Sequence, residues 1–112
     1  MDQRWNSRES VNLNVILISG NIGLVNGKTR DVSFGGMYIE MAPGICMDEY
    51  ASVHLVIPEY EVNHSIPVEV VRTEKGGTGI MITEYSKITR NILARVMGDN
   101  GISFVEPSMV IA

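Results

Sequence analysis

The sequence predicts a mainly β fold, a small antiparallel barrel or sandwich followed by one C-terminal α-helix. Short runs of alternating apolar and polar residues recur between residues 11 and 82, and turn-forming residues bound each run. After Ser86 the apolar residues recur instead at the spacing of an amphipathic helix. A chain of 112 residues supports one domain with a single modest core.

The first half of the predicted sheet contains three strands. Residues 11–18 alternate at first and then become continuously apolar, which predicts a strand with one wet face that becomes buried on both sides. Asn26-Gly27 predicts a tight hairpin turn, because its central residues adopt positive φ. The returning strand ends near Asp31, and residues 37–41 form the next strand.

The second half contains three more strands and the helix. Strands are predicted over residues 51–57, 66–73 and 79–82, separated by proline and glycine turn signals. Ser86 can cap a helix that ends at Gly98. The apolar stripe of this helix comprises Ile88, Ile92, Leu93, Val96 and Met97.

A polar segment with two glycines, residues 31–36, is the first candidate binding site. Side chains alternate across a strand, so Asp31 and Ser33 would point to one side. The carboxylate could accept two N–H bonds from the edge of a base such as guanine, and the hydroxyl can donate or accept. Gly35 and Gly36 have no Cβ, which would let a flat ligand lie against the main chain. The alternative is a polar turn in which Asp31 and Ser33 bond to their own backbone.

Two arginines four positions apart, Arg4 and Arg8, form the second candidate element. A guanidinium group is a planar fork of donors that matches phosphate oxygens or the O6/N7 edge of guanine. The alternative is a pair of solvated charges near a chain terminus.

Taken together, these two motifs resemble the PilZ domain, a bacterial receptor for cyclic dimeric GMP. That family has Arg-x-x-x-Arg near its N-terminal end and Asp/Asn-x-Ser-x-x-Gly after one strand and a turn. Both motifs are complete here and in the same order. The resemblance implies a six-stranded β-barrel with one C-terminal helix over residues 11–98, preceded by a flexible ligand-binding arm at 1–10 and followed by a tail at 99–112.

The resemblance also implies roles for the motif residues. Arg4 and Arg8 on the arm would grip guanine edges and phosphates, whereas Asp31, Ser33 and Gly36 on the barrel would hold a guanine from the other side. Cyclic dimeric GMP would be a regulatory ligand, with no cofactor needed. Its binding would switch an adaptor that acts on an unidentified downstream protein or through homodimer formation, in motility or biofilm regulation.

Further ligand contacts are implied less directly. Arg72 and Gly79 match family positions near the guanine pocket. Arg30 could add a cation or simply pair with a neighbouring carboxylate. Gln3 precedes the first motif arginine, where a third arginine is associated in the family with binding a stacked ligand pair. The Gln3 amide can hydrogen-bond to a base but carries no positive charge. The sequence therefore does not decide whether one ligand molecule or a stacked pair would bind.

Composition excludes several other classes of function. A net charge of −4 argues against a protein that coats a nucleic acid polymer, which needs a basic face. One cysteine, Cys46, and two histidines provide no internal disulfide and no metal-ligand spacing. The chain has no apolar run of membrane-spanning length and no signal-peptide pattern, so we expect a cytoplasmic protein without membrane insertion.

Two rival functions remain. The first is a PilZ-like docking module that does not bind the ligand, although its complete motifs count against this. The second is an enzyme with Ser33 as nucleophile and His54 or His64 as base. Neither histidine has a sequence context that places it beside Ser33, and no nucleophile-elbow pattern flanks the serine, so we predict that the protein is not an enzyme.

Overall fold

The computed structural model describes residues 9–101, which form seven strands and one helix. The elements are β1 (Glu9–Ser10), β2 (Asn14–Ser19), β3 (Gly23–Val32), β4 (Gly36–Glu40), β5 (Ser52–Ile57), β6 (Glu61–Glu74), β7 (Gly77–Ile82) and α1 (Lys87–Asp99). Within this part of the chain, no helix is both long and apolar enough to cross a membrane.

Six of the strands close into an antiparallel barrel. They lie in the order β3-β2-β5-β6-β7-β4, and β4 pairs back onto β3 to complete the circle. The two-residue β1 pairs with the end of β3, where Glu9 lies opposite Val32 and Ser10 opposite Asp31. The predicted six-stranded antiparallel barrel with one C-terminal helix is therefore confirmed.

The helix contacts β6 and adds four apolar side chains to the barrel core. Ser86 caps it as predicted, because its Oγ accepts a hydrogen bond from the Thr89 N–H at 3.1 Å. The stripe buries Ile92, Leu93, Val96 and Met97. Ile88 was wrongly included, since it is 52% exposed. Thr89 is buried instead, and its hydroxyl lies 3.0 Å from Nε2 of His64 on β6.

The first barrel strand begins later than predicted. Residues 11–13 do not join β2, because the buried Thr29 side chain replaces the strand ladder there. Its Oγ1 accepts from the Leu13 N–H at 2.8 Å and donates to the Val11 carbonyl oxygen. The second half of the strand is not buried on both sides either, since Ile18 is 38% exposed.

The predicted Asn26-Gly27 hairpin turn is also wrong. The chain turns at residues 20–22, whereas Asn26 and Gly27 lie inside β3 opposite Ile16 and Val15. Gly27 serves close packing instead, because a Cβ there would lie 2.5 Å from Cγ2 of Ile39. The other predicted strands are present, but β6 begins at Glu61 rather than at residue 66, and β7 begins at Gly77 rather than at residue 79.

We expect Gly27→Ala to lower the free energy of unfolding by about 1–3 kcal/mol, the usual cost of overpacking a close contact. Gly20→Ala is the control, because a Cβ there meets nothing within 4 Å. It should change stability by less than about 1 kcal/mol. Chemical denaturation of both variants measures the difference, and equal stabilities would contradict the packing role of Gly27.

Candidate functional site

A β-bulge in β3 turns two consecutive side chains outward at the end of the strand. Thr29 pairs with Ile39 and faces the core, yet Asp31 pairs with Tyr38, so Arg30 is an extra residue in the ladder. Such an insertion resets the alternation of side chains. Asp31 therefore faces outward and Val32 returns to the core, where it is fully buried.

A second bulge lies in β6. Val70 pairs with Ile80, and Arg72 pairs with Gly79, which leaves Val71 as the extra residue. The Thr78 hydroxyl donates to the Arg72 carbonyl oxygen at 2.9 Å and holds the bulge in place. Regular alternation from the buried Val70 would have put Arg72 inside, and the bulge places it outside.

The two bulges lie on either side of one surface cavity. Asp31, Tyr38, Gly79 and Arg72 form a continuous row of cross-strand neighbours over β3, β4, β7 and β6. The cavity has a volume of about 310 Å³ and is lined by Arg30, Asp31, Tyr38, Val71, Arg72 and Gly79. Four residues that the sequence singled out separately therefore meet here: Arg30, Asp31, Arg72 and Gly79.

Tyr38 lies at the centre of the cavity wall, and two guanidinium groups lie against its ring. Cζ of Arg30 is 3.9 Å and Cζ of Arg72 is 5.3 Å from the ring centroid, both within cation–π range. Arg30 Nε also lies 3.5 Å from Oδ2 of Asp31. Arg72 donates from Nε and Nη2 to Oε2 of Glu74 at 3.1 and 2.9 Å.

The Tyr38 hydroxyl donates a hydrogen bond to the other Glu74 carboxylate oxygen, Oε1. This bond is the main reason that the pKa of Glu74 lies below its ordinary value, with the bonds from Arg72 adding to the effect. The same bond raises the pKa of the Tyr38 hydroxyl, helped by burial. Glu74 is therefore ionised and Tyr38 neutral at physiological pH.

Ser33 and the two motif glycines form the turn between β3 and β4 rather than the cavity wall. The Ser33 Oγ accepts from the N–H groups of Gly35 and Gly36, both at 3.2 Å, and lies 3.2 Å from the Gly36 carbonyl oxygen. Alternation does not carry Ser33 to the side of Asp31, because β3 ends at Val32. The polar-turn interpretation thus describes how Ser33 is bonded here.

This turn is fixed to the barrel at two further points. A Cβ on Gly36 would lie 2.2 Å from the Ile80 carbonyl oxygen, so the close approach of β7 requires glycine there. The buried Phe34 ring stacks on Tyr85 with centroids 5.3 Å apart, and the Tyr85 hydroxyl donates to the Phe34 carbonyl oxygen at 2.9 Å. The Asp-x-Ser-x-x-Gly motif is thereby part of the packed barrel.

The remaining candidates lie elsewhere. Gln3, Arg4 and Arg8 fall outside the described residues. His54 is exposed on β5, and the His64 ring is bonded to Thr89, so neither histidine forms a hydrogen bond with Ser33.

A comparison with family models matches residues 2–99 to the PilZ domain. The chain belongs to the PilZ domain family. This is a family of receptors for cyclic dimeric GMP, so the resemblance drawn from the two motifs is confirmed at the level of the family. A comparison with curated proteins finds no match.

Solved structures show the same fold. The PilZ domain of CeSA from a cellulose-synthesizing bacterium is 18% identical, with a TM-score of 0.66 over 85% of this chain and 99% of that one. The Bacillus subtilis inhibitor of motility, MotI/DgrA, is 19% identical, with a TM-score of 0.63 over 89% of this chain. This PilZ chain matches only 52% of the length of that protein.

Sequence reasoning missed Tyr38 and Glu74. Alternation along β4 puts Tyr38 on the outer face with Gly36 and Glu40, so this orientation could have been predicted from the sequence. Glu74 lies two residues after Arg72 on one strand, a spacing that places both side chains on the same face. The sequence does not indicate that the fold places Glu74 and Arg72 on β6 in contact with the Tyr38 side chain on β4.

We expect Ser33→Ala to lower the free energy of unfolding by about 1–3 kcal/mol, because the N–H groups of Gly35 and Gly36 lose their acceptor. Ser52→Ala, at an exposed position in β5, is the control and should stay within about 0.5 kcal/mol of the parent. Urea denaturation measures the free energy of unfolding of both variants. If Ser33→Ala were as stable as the parent, Ser33 would have no role in stabilising the turn.

We expect Tyr38→Phe to raise the pKa of Glu74 toward its ordinary value, since the largest cause of the lowered pKa is removed. Because the folded pKa is depressed, the contribution of this contact is present above the ordinary glutamate pKa and is lost as pH falls through the folded value. Carboxyl ¹³C NMR titration of the parent and of the variant measures it. An unchanged Glu74 midpoint in the variant would contradict the assigned cause.

Proposed function

We propose that this PilZ domain binds cyclic dimeric GMP through Arg4, Arg8, Asp31, Ser33 and Gly36. The observation that carries the proposal is the cavity beside the second motif, whose wall contains Arg30, Asp31, Arg72 and Gly79. Two of these residues, Arg72 and Gly79, were assigned to the guanine pocket from family resemblance alone.

The barrel would read a guanine base. The Asp31 side chain is 22% exposed at the cavity and carries acceptors for the two N–H groups of a guanine edge. Gly79 lines the cavity without a side chain, so a base could lie against its backbone. Ser33 and Gly36 would contribute through the shape of the turn that follows Asp31.

The arm would supply the charge for the phosphates. At the cavity wall, Arg30 faces Asp31 and Arg72 faces Glu74, so these cations are already balanced by carboxylates. Arg8 directly precedes β1, whose Ser10 lies opposite Asp31, so the chain enters the barrel beside the cavity. Charge-assisted bonds from Arg4 and Arg8 could therefore reach a ligand held by Asp31.

In this mechanism the ligand acts as a switch. Phosphates and guanine edges would bridge Arg4 and Arg8 to the barrel, and the ordered arm with its ligand would form a new surface. A downstream protein, or a second copy of this chain, would recognise that surface. Motility and biofilm formation are the outputs that the family resemblance implies.

We expect Arg8→Ala to lose about 1–3 kcal/mol of affinity for cyclic dimeric GMP, which is about 5- to 150-fold. Arg4→Ala/Arg8→Ala should abolish detectable binding. Isothermal titration calorimetry measures both variants, and the parent titration also gives the stoichiometry that Gln3 leaves open.

Lys87→Ala is a matched control, because it removes one exposed positive charge from α1. It should bind like the parent. Parent-like binding by Arg8→Ala would contradict the arm mechanism. No binding by the parent would favour the alternative function, a docking module that does not bind the ligand. The search would then turn to the tail, whose apolar residues lie between Ile102 and Ile111.

We also propose that binding is not accompanied by catalysis. The Ser33 hydroxyl is bonded to its own turn and has no histidine partner. Incubation with cyclic dimeric GMP should leave the ligand intact by chromatography. Hydrolysis that disappeared in Ser33→Ala would overturn this part of the proposal.

A further inference from the structure

Glu74 contacts two of the side chains that line the cavity without lining the cavity itself. Oε2 accepts from Nε and Nη2 of Arg72, and Oε1 accepts from the Tyr38 hydroxyl. One carboxylate thus joins β4 to β6 across the intervening strand β7.

The backbone between the two partners is shaped to permit this contact. A Cβ on Gly77 would lie 2.0 Å from the Tyr38 hydroxyl oxygen and 2.7 Å from Cζ, so only glycine leaves room for the ring at that point. The Tyr38 ring in turn supports the Arg30 guanidinium at 3.9 Å. The position of both cavity arginines is therefore linked to Glu74.

The contact with Glu74 also determines which edge of the Arg72 guanidinium group is available to bind a ligand. Glu74 occupies the Nε/Nη2 edge, and within residues 9–101 the Nη1 nitrogen has no hydrogen-bond acceptor. A long arginine side chain that is already held in place loses less rotamer freedom when it binds. Such preorganisation increases affinity without adding a contact.

We propose that Glu74 is a positioning residue of the ligand site, which fixes Arg72 and Tyr38 so that the Nη1 side of Arg72 faces the ligand. This inference rests on the proposed function, since the ligand is cyclic dimeric GMP. Glu74 also opposes a dianionic ligand through its own charge. That repulsion is small because the side chain is 47% exposed and salt screens it.

A double-mutant cycle on ligand affinity separates positioning from structural and charge effects. Glu74→Gln should weaken cyclic dimeric GMP binding by about 2- to 12-fold in the parent, the usual cost of immobilising one long side chain. In the Arg72→Ala background, Glu74→Gln should cause no loss. An equal loss in both backgrounds, or tighter binding by Glu74→Gln in the parent, would overturn the proposal.

The control for charge is Glu69→Gln, also on β6, whose side chain forms no hydrogen bond with another described residue. It should leave affinity unchanged. Tyr38→Phe provides a second test at constant charge, because it removes only the hydroxyl that Glu74 accepts from. It should weaken binding in the parent and add nothing further to Glu74→Gln.

A measurement without ligand distinguishes failure of this inference from failure of the proposed function. The Arg72 Nε–H signal in NMR should exchange slowly with water in the parent and rapidly in Glu74→Gln. Equal exchange in both proteins would overturn the positioning role even if the ligand binds. A third outcome is slow exchange in the parent, fast exchange in Glu74→Gln, and no ligand binding by the parent. That outcome would confirm that Glu74 holds Arg72 and would contradict only the proposed function.

Discussion

The site depends on two β-bulges that lie opposite each other across β4 and β7. If residues 29–32 of β3 kept a regular register with no bulge at Arg30, alternation would direct Asp31 into the core. If β6 kept a regular register with no bulge at Val71, alternation would direct Arg72 into the core as well. A buried and unpaired charge costs several kcal/mol, so each bulge is also a condition for a stable barrel. One local deviation therefore serves both folding and the exposure of a charged side chain.

Glycine is used around this site for space rather than for unusual dihedral angles. Gly36 admits the backbone of β7, Gly77 admits the Tyr38 hydroxyl, and Gly79 leaves the cavity floor without a side chain. None of the three has positive φ. Glycine thus leaves little side-chain bulk where β4 and β7 pair under the cavity. In the row of neighbours from Asp31 to Arg72, the only bulky side chain between these two residues is the ring of Tyr38.

Composition and period predicted a small antiparallel barrel or sandwich with one helix, because strands such as β2 alternate and the helix has a clear cap at Ser86. The choice of a six-stranded barrel came from the family resemblance. The predictions that failed involve close tertiary contacts. Gly27 in an Asn-Gly pair has the local signature of a turn, yet its role is set by Ile39 on the neighbouring strand. Bulges likewise leave no local signature, so the outward direction of Arg72 and its contact with Glu74 had to come from the structure. The motif residues were identifiable only through resemblance, since their chemistry alone also fits an ordinary turn.

The charge distribution suggests that different parts of the protein bind the base and the phosphates of the proposed ligand. In the described part of the site, Arg30 and Arg72 are matched by Asp31 and Glu74, so the barrel offers hydrogen-bond geometry with little net field. Such a surface favours a neutral, planar base with a defined donor edge over a bare anion. Phosphates require unmatched cations, which the Arg-x-x-x-Arg segment would bring. Under the proposed function, discrimination between bases therefore belongs to the rigid barrel, and the salt-sensitive part of the affinity belongs to the arm. The arm joins the barrel through β1, beside Asp31. Under the proposed function, the arm arginines would therefore contact the phosphates only when a base occupies the site at Asp31.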